Sequence, residues 1–138
     1  MNHYQYDEIN VGQEESFTVS ITEQMLDAFK GITGDINPMH NDQEYAQNAG
    51  FDGRIAYGML TASFLSTLAG VYMPGEYSLI HTVEVEFVKP VFIGDELVIS
   101  GTVVEKSDLF KAIWLKVVIK NQVGKKVCRA KMRIGVLR

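Results

Sequence analysis

A carboxylate and an imidazole lie five positions apart in the stretch Gly34–His40, called the site loop below. Such a pair can perform general acid–base chemistry on a bound water, because one group accepts a proton while its partner returns one. Asp35 and His40 must then both lie within about 3 Å of the reacting atoms. A regular helix would point them roughly 140° apart, since each residue advances about 100°. Asn37 precedes Pro38 and is pushed toward an extended conformation, so we predict an irregular loop that turns both side chains toward one point.

Two other interpretations of this pair are open. Asp35 could cap a turn while His40 is packed or solvated, and neither residue would then do chemistry. A metal site is disfavoured because His3 and His81 are the other histidines, and no H-x-H, H-x-E or HExxH spacing occurs. We therefore expect neither a metal nor a redox cofactor.

A glycine at the start of an apolar helix is a second feature that could do chemistry. The stretch Gly58–Gly70 is apolar on nearly every face and predicts a buried central helix. Backbone N–H groups at a helix start lack intrahelical partners, and the helix dipole favours negative charge there. Gly58 would let a carbonyl oxygen approach closely, as an oxyanion hole requires, although close packing alone could also explain it.

Side chains near that helix start have structural as well as chemical interpretations. A buried helix serine such as Ser63 usually bonds to a carbonyl of its own helix, and no G-x-S-x-G elbow surrounds it. Tyr57 is more often a packing aromatic with a hydrogen-bonded hydroxyl than a catalytic acid. Tyr57 and Met59, on either side of Gly58, are nevertheless included as candidate substrate-binding residues.

The segment before the site loop predicts a strand followed by a helix. Phe17–Ile21 alternates apolar and polar residues, as a half-buried strand does. Ser20 and Glu23 form an S-x-x-E capping box, which predicts that a helix begins at position 21 or 22. Gly31 or Gly34 should end that helix.

The remainder of the chain predicts one more short helix and a sheet. Asp42 is the expected N-cap of a helix over residues 43–48, with Gly50 past its end. Period-two alternation predicts four later strands joined as a meander, over residues 82–87, 95–105, 111–120 and 125–137. The order of these elements predicts an α+β fold, in which a curved antiparallel sheet wraps around a buried helix.

Composition and charge exclude several classes of protein. The 138 residues suit one domain, and 46% hydrophobic with 22% charged residues is typical of a globular chain. A net charge of −4 argues against nucleic acid as the main partner. The basic residues between Lys125 and Arg133 alternate with apolar ones, which is typical of a solvated strand face.

The expected compartment is the cytoplasm. The N-terminus carries His3, Asp7 and Glu8 and is not expected to be a signal peptide, and no apolar run approaches the roughly 20 residues that span a bilayer. The single cysteine, Cys128, cannot form an internal disulfide and is expected to be a small buried apolar residue.

Three stretches resemble one known family. Thr33–His40, with the sequence TGDINPMH, resembles the signature of the MaoC-like dehydratases, the (R)-specific enoyl-CoA hydratases with a hot-dog fold. Arg54–Ser63 resembles the start of that family's central helix, and Phe87–Asp95 resembles the strand-turn-strand that follows it. The resemblance covers nearly the whole chain; the first motif is rather specific, whereas many hot-dog proteins share the other two.

The resemblance implies a single hot-dog domain over residues 1–138, a homodimer, and an acyl-CoA substrate of fatty acid metabolism held in a cleft between protomers. Asp35 and His40 would activate the water that adds to C3 of a trans-2-enoyl thioester, with a proton delivered to C2. Asn37 would fix the loop, the N–H near Gly58 would bind the thioester oxygen, and Ser63 would orient the carboxylate.

One position departs from the family pattern. Many members have His-Gly where this chain has Tyr57-Gly58, so the acyl-chain or thioester environment should differ and the substrate could be unusual. Two further functions fit the same resemblance: a hot-dog thioesterase, in which the carboxylate activates water toward the carbonyl carbon, and a non-catalytic module that binds acyl thioesters.

Overall fold

One antiparallel sheet of five strands forms the main layer of this computed structural model, which describes residues 1–138. The strands are β1 (Glu14–Ser20), β2 (Ser78–Phe87), β3 (Glu96–Ser107), β4 (Ala112–Lys120) and β5 (Lys126–Val136). Their order across the sheet is β1-β3-β4-β5-β2. The predicted α+β architecture is therefore confirmed, and every predicted strand is present with slightly different ends.

The prediction of a simple meander was wrong for β2. Strands β3, β4 and β5 follow one another as a meander, but β2 pairs with β5 at the edge of the sheet, with Val85 opposite Ala130. Alternation identifies a strand and its two faces but not its neighbour. The pairing runs along the whole strand, from Ser78 opposite Val136 to Phe87 opposite Cys128.

The central helix α4 spans Gly58–Thr67 and begins at the predicted glycine. A π-helical turn, Leu68–Tyr72, continues it. Its apolar residues pack against the concave face of the sheet and join one core cluster with residues of β3, β4 and β5. One stripe of α4 is exposed, consisting of Met59, Ser63 and Ser66 at helical spacing. Neither α4 nor any other helix is long and apolar enough to cross a membrane.

Helix α1 (Glu23–Thr33) leads from β1 to the site loop. Its cap is Thr22, whose Oγ1 accepts a hydrogen bond from the Met25 N–H at 3.2 Å. The predicted capping box at Ser20 was therefore wrong, because Ser20 is still part of β1 and pairs with Glu96. At the other end Gly34 has φ 73°, a left-handed conformation suited to glycine, and ends the helix as predicted.

Helix α3 (Gln43–Asn48) has the predicted bounds. The Asp42 carboxylate accepts a hydrogen bond from the Tyr45 N–H at 3.0 Å, which confirms Asp42 as the N-cap.

Cys128 is 1% exposed in β5, and burial raises the pKa of its thiol to about 11. The expectation of a small buried apolar residue at Cys128 is thus confirmed as well.

Candidate active site

The site loop runs from the end of α1 into a one-turn helix, α2 (Pro38–Asn41). Asn37 has the extended conformation expected before a proline, and its Oδ1 accepts the Met39 N–H at 2.9 Å as the cap of α2. The prediction of an irregular segment as far as His40 was wrong. Proline suits the first position of a helix, where its fixed φ fits and its missing N–H is not needed.

His40 lies half-buried on α2, and its Nδ1 is 2.7 Å from the carbonyl oxygen of Ile55. A backbone carbonyl only accepts hydrogen bonds, so Nδ1 carries the hydrogen and donates it. In the neutral ring Nε2 is then unprotonated and has the free lone pair of a general base. The same two segments are joined by a second bond, from the Ile55 N–H to the Met39 carbonyl at 3.2 Å.

Arg54 supports this arrangement and was missed by the sequence analysis, which named it only as the first residue of the stretch that resembles the start of the family's central helix. Its Nε donates to the His40 carbonyl at 2.7 Å, and its terminal nitrogens lie 3.0 Å from Glu23 and 3.3 Å from Asp27 on α1. The arginine side chain is only 11% exposed. Glu23 and Asp27 are four residues apart, so one face of α1 presents two carboxylates, and that pattern could have indicated a cationic partner.

Tyr57 lies between the two candidate acid–base residues. Its ring stacks on the His40 imidazole with centroids 4.2 Å apart, and its hydroxyl donates to the backbone carbonyl of Asp35 at 2.6 Å. Asp35 itself is exposed, and its Oδ1 accepts the Asn37 N–H at 3.1 Å. The Asp35 backbone and the His40 ring therefore both contact Tyr57, directly before the start of α4. That the two side chains turn toward one point stays a prediction.

The first turn of α4 has backbone donors available. The N–H groups of Leu60 and Thr61 bond to the Tyr57 carbonyl, whereas those of Gly58 and Met59 have no hydrogen-bond partner. A Cβ on Gly58 would lie 3.2 Å from the Phe87 ring, so the absence of a side chain also serves packing here. Both interpretations of Gly58 are compatible with this geometry, and the Met59 side chain is 64% exposed beside it.

Ser63 faces solvent on the exposed stripe of α4. Its Oγ donates to the Leu60 carbonyl at 2.6 Å, which confirms the general expectation that a helix serine bonds within its own helix. This bond gives no support to an orienting contact with Asp35, and that role stays a prediction.

The sequence of this chain matches one known protein family. Residues 7–125 match the family described as the MaoC like domain. The chain belongs to the MaoC-like dehydratase family. The (R)-specific enoyl-CoA hydratase of Rhodospirillum rubrum is 38% identical over 101 residues, which are 73% of this chain and 69% of that protein. The (R)-specific enoyl-CoA hydratase of Aeromonas caviae is 35% identical over 89 residues, 64% of this chain and 66% of that protein.

Two solved structures of R-hydratases have the same fold. The unliganded R-hydratase PhaJ1 of Pseudomonas aeruginosa superposes with a TM-score of 0.91 at 33% identity, covering 96% of this chain and 84% of that one. The (R)-hydratase of A. caviae gives 0.89 at 28% identity, covering 93% and 97%. The predicted hot-dog fold and the predicted enzyme class, that of enoyl-CoA hydratases and 3-hydroxyacyl dehydratases, are confirmed.

Proposed function

We propose that this chain catalyses, in the cytoplasm, the reversible hydration of a trans-2-enoyl thioester, such as an enoyl-CoA, to the (R)-3-hydroxyacyl thioester. The observation that carries the proposal is the His40 ring, whose Nδ1–H is bonded to the Ile55 carbonyl and whose Nε2 is left as a base. Asp35 supplies the second titratable group from the same loop. The names of the R. rubrum and A. caviae relatives support the substrate class.

In the hydration direction the water oxygen adds to C3 and the C2–C3 double bond becomes single. The Asp35–His40 pair takes one proton from the water and delivers one to C2, so atoms and charge balance and no electrons are transferred. Asn37 would keep the loop in place, because its side chain caps α2 and thereby fixes the turn between the two groups.

Negative charge develops on the thioester oxygen as C3 is attacked. The unpartnered N–H groups of Gly58 and Met59 at the positive end of α4 are suited to stabilise that charge. Tyr57 and Met59 remain candidates for contact with the thioester arm. The exposed Met59 side chain supports such a role better than the buried Tyr57 does.

We further propose that a second copy of the chain covers β2 and completes the cleft. Strand β2 is a ten-residue edge strand, and three apolar residues on its inner face are well exposed: Ile80 38%, Val83 43% and Phe87 49%. A long apolar edge strand favours pairing with another strand. Because Phe87 packs beside Gly58, a partner on β2 would also approach the start of α4.

The oligomeric state tests this proposal. Val83→Lys places a charge in the apolar edge and should convert a dimer to monomers in sedimentation analysis, with strongly reduced activity and unchanged circular dichroism. Thr18→Lys is the control, because it adds the same charge to the opposite edge strand, β1, and should leave the dimer intact. A monomeric, active wild-type protein would contradict the proposal.

The hydratase proposal is tested with crotonyl-CoA by loss of the enoyl absorbance. Asp35→Asn and His40→Gln should each lower kcat by at least about 100-fold without unfolding the protein. Asp42→Asn and His3→Gln are matched controls of the same chemical type outside the site, and they should retain activity. Retained activity in either site variant would refute the assignment.

The same assays separate the two alternative functions. Release of free thiol without loss of the double bond would indicate a thioesterase. Ligand-induced thermal stabilisation without turnover would indicate a binding module.

A further inference from the structure

Tyr57 is almost fully buried, with 2% of its surface exposed, although it adjoins an exposed loop. Its ring is held on one side by the His40 imidazole at 4.2 Å and on another by Phe29 at 4.9 Å. This burial leaves little of its surface for contact with a substrate. The side chain is therefore part of the support beneath the site.

The Tyr57 hydroxyl is engaged in two hydrogen bonds. It donates its single hydrogen to the Asp35 carbonyl at 2.6 Å and accepts one from Asn41 Nδ2 at 3.1 Å. Asn41 Nδ2 also donates to the Asn37 carbonyl at 2.9 Å. Since a phenol has one donor, none remains for a reacting group. The network instead joins both ends of the segment Asp35–Asn37 to the residue before α4.

The backbone of that segment is otherwise supported only by local hydrogen bonds, from the Asp35 N–H to Thr33 Oγ1 at 3.2 Å, from the Asn37 N–H to Asp35 Oδ1 at 3.1 Å and from the His40 N–H to the Asn37 carbonyl at 3.1 Å. Asp35, Ile36 and Asn37 are all exposed, with Ile36 at 77%, so no apolar side chain anchors them in the core. Exposed segments with few buried contacts open easily. Acid–base chemistry tolerates little displacement of the reacting groups. A buried anchor that reaches the loop backbone would meet this need.

We infer that Tyr57 is a positioning residue, which holds the Asp35 backbone through its hydroxyl and the His40 imidazole through its ring, and so sets the relative position of the acid–base pair. The expected effect on kcat rests on the proposed hydration. The expected effect on the mobility of the loop rests on the observed contacts alone. Asn41, which bridges the hydroxyl and Asn37, belongs to the same anchor.

Tyr57→Phe is the informative substitution, because it keeps the ring and its stacking on His40 while removing the hydroxyl. With crotonyl-CoA we expect kcat to fall about tenfold while KM changes less than about twofold, since the buried Tyr57 leaves little surface for contact with the substrate. Amide hydrogen exchange in the peptide covering residues 33–39 should accelerate. Tyr4→Phe is the control: it also removes a tyrosine hydroxyl bond, to Glu15 at 3.0 Å on β1, and should change neither quantity.

A double-substitution experiment separates positioning from a general loss of folded protein. In the Asp35→Asn background, Tyr57→Phe should have little further effect on the residual rate, because residues that act as a unit are not additive. If the two substitutions lower the rate by independent factors that multiply, the inference is overturned. A raised KM at unchanged kcat in Tyr57→Phe would also overturn it, because that result indicates contact with the substrate. If the wild-type protein does not hydrate crotonyl-CoA, the exchange measurement still decides: unchanged exchange in Tyr57→Phe overturns the anchor, and faster exchange supports it.

Discussion

Removal of the Arg54 guanidinium should destabilise the site and the fold together. Arg54→Met keeps the unbranched stem and deletes the charged group. The Nε–H bond to the His40 carbonyl is 2.7 Å long, and the side chain is 11% exposed, so this charge-assisted bond should contribute about 1.5–3 kcal/mol. The Glu23 and Asp27 carboxylates are 63% and 55% exposed, so each ion pair adds only about 0.2–1 kcal/mol. We expect the free energy of unfolding to fall by about 2–5 kcal/mol.

The change in the free energy of unfolding is measured by urea unfolding at fixed protein concentration, monitored through the fluorescence of Trp114, the single tryptophan. Glu23→Gln and Asp27→Asn are the matched controls, since each weakens one exposed pair while leaving the His40 bond. Each should cost less than about 1 kcal/mol. The Arg54→Met protein should also lose kcat, because the carbonyl it releases belongs to the helix that carries His40. A loss of stability no larger than that of the controls would refute the argument that the buried carbonyl bond dominates.

Three further predictions concern other parts of the molecule. Thr22→Ala removes the cap of α1 and should lower the free energy of unfolding by about 1 kcal/mol in urea, whereas Thr22→Ser should cost much less; equal losses would contradict the cap. Gly101→Ala places a Cβ 2.8 Å from Leu68 Cδ2 and should lower the free energy of unfolding by about 1–3 kcal/mol, measured in the same way; an unchanged midpoint would mean that Leu68 moves freely. Cys128 should resist a thiol reagent at about pH 8 in the native protein and react after unfolding, because its pKa of about 11 keeps the buried thiol protonated; rapid native labelling would contradict this burial.

Local features of the fold were predictable because they depend on a few neighbouring residues. Asp42 caps α3, Gly34 ends α1 in a left-handed conformation, and Asn37 is extended before its proline. Each follows from backbone sterics or from a side chain that reaches the next turn. Two local predictions were wrong: the irregular segment as far as His40, where Pro38 begins a helix, and the cap at Ser20, where strand pairing with Glu96 extends β1 through that residue. Tertiary pairing there outweighed a local signal.

Local sequence patterns could not predict the long-range contacts that build the site. Arg54 bonds to a carbonyl 14 positions away and Tyr57 to one 22 positions away. Residue types alone do not specify which backbone carbonyl a buried donor will meet, because several lie within reach of any collapsed chain. Once the chain packs, a buried donor must find an acceptor, and the geometry of the core selects it.

By itself the sequence determined the five strands, helices α1, α3 and α4 and the start of the central helix, since periodicity and caps act over a few residues. It also predicted Asp35 and His40 as the pair of groups for acid–base chemistry. Only the tertiary structure decided that β2 lies beside β5 at an edge, that the His40 imidazole leaves Nε2 free, and that Tyr57 joins His40 to the Asp35 backbone. These outcomes depend on which distant surfaces bury one another, and burial is settled by the whole core at once.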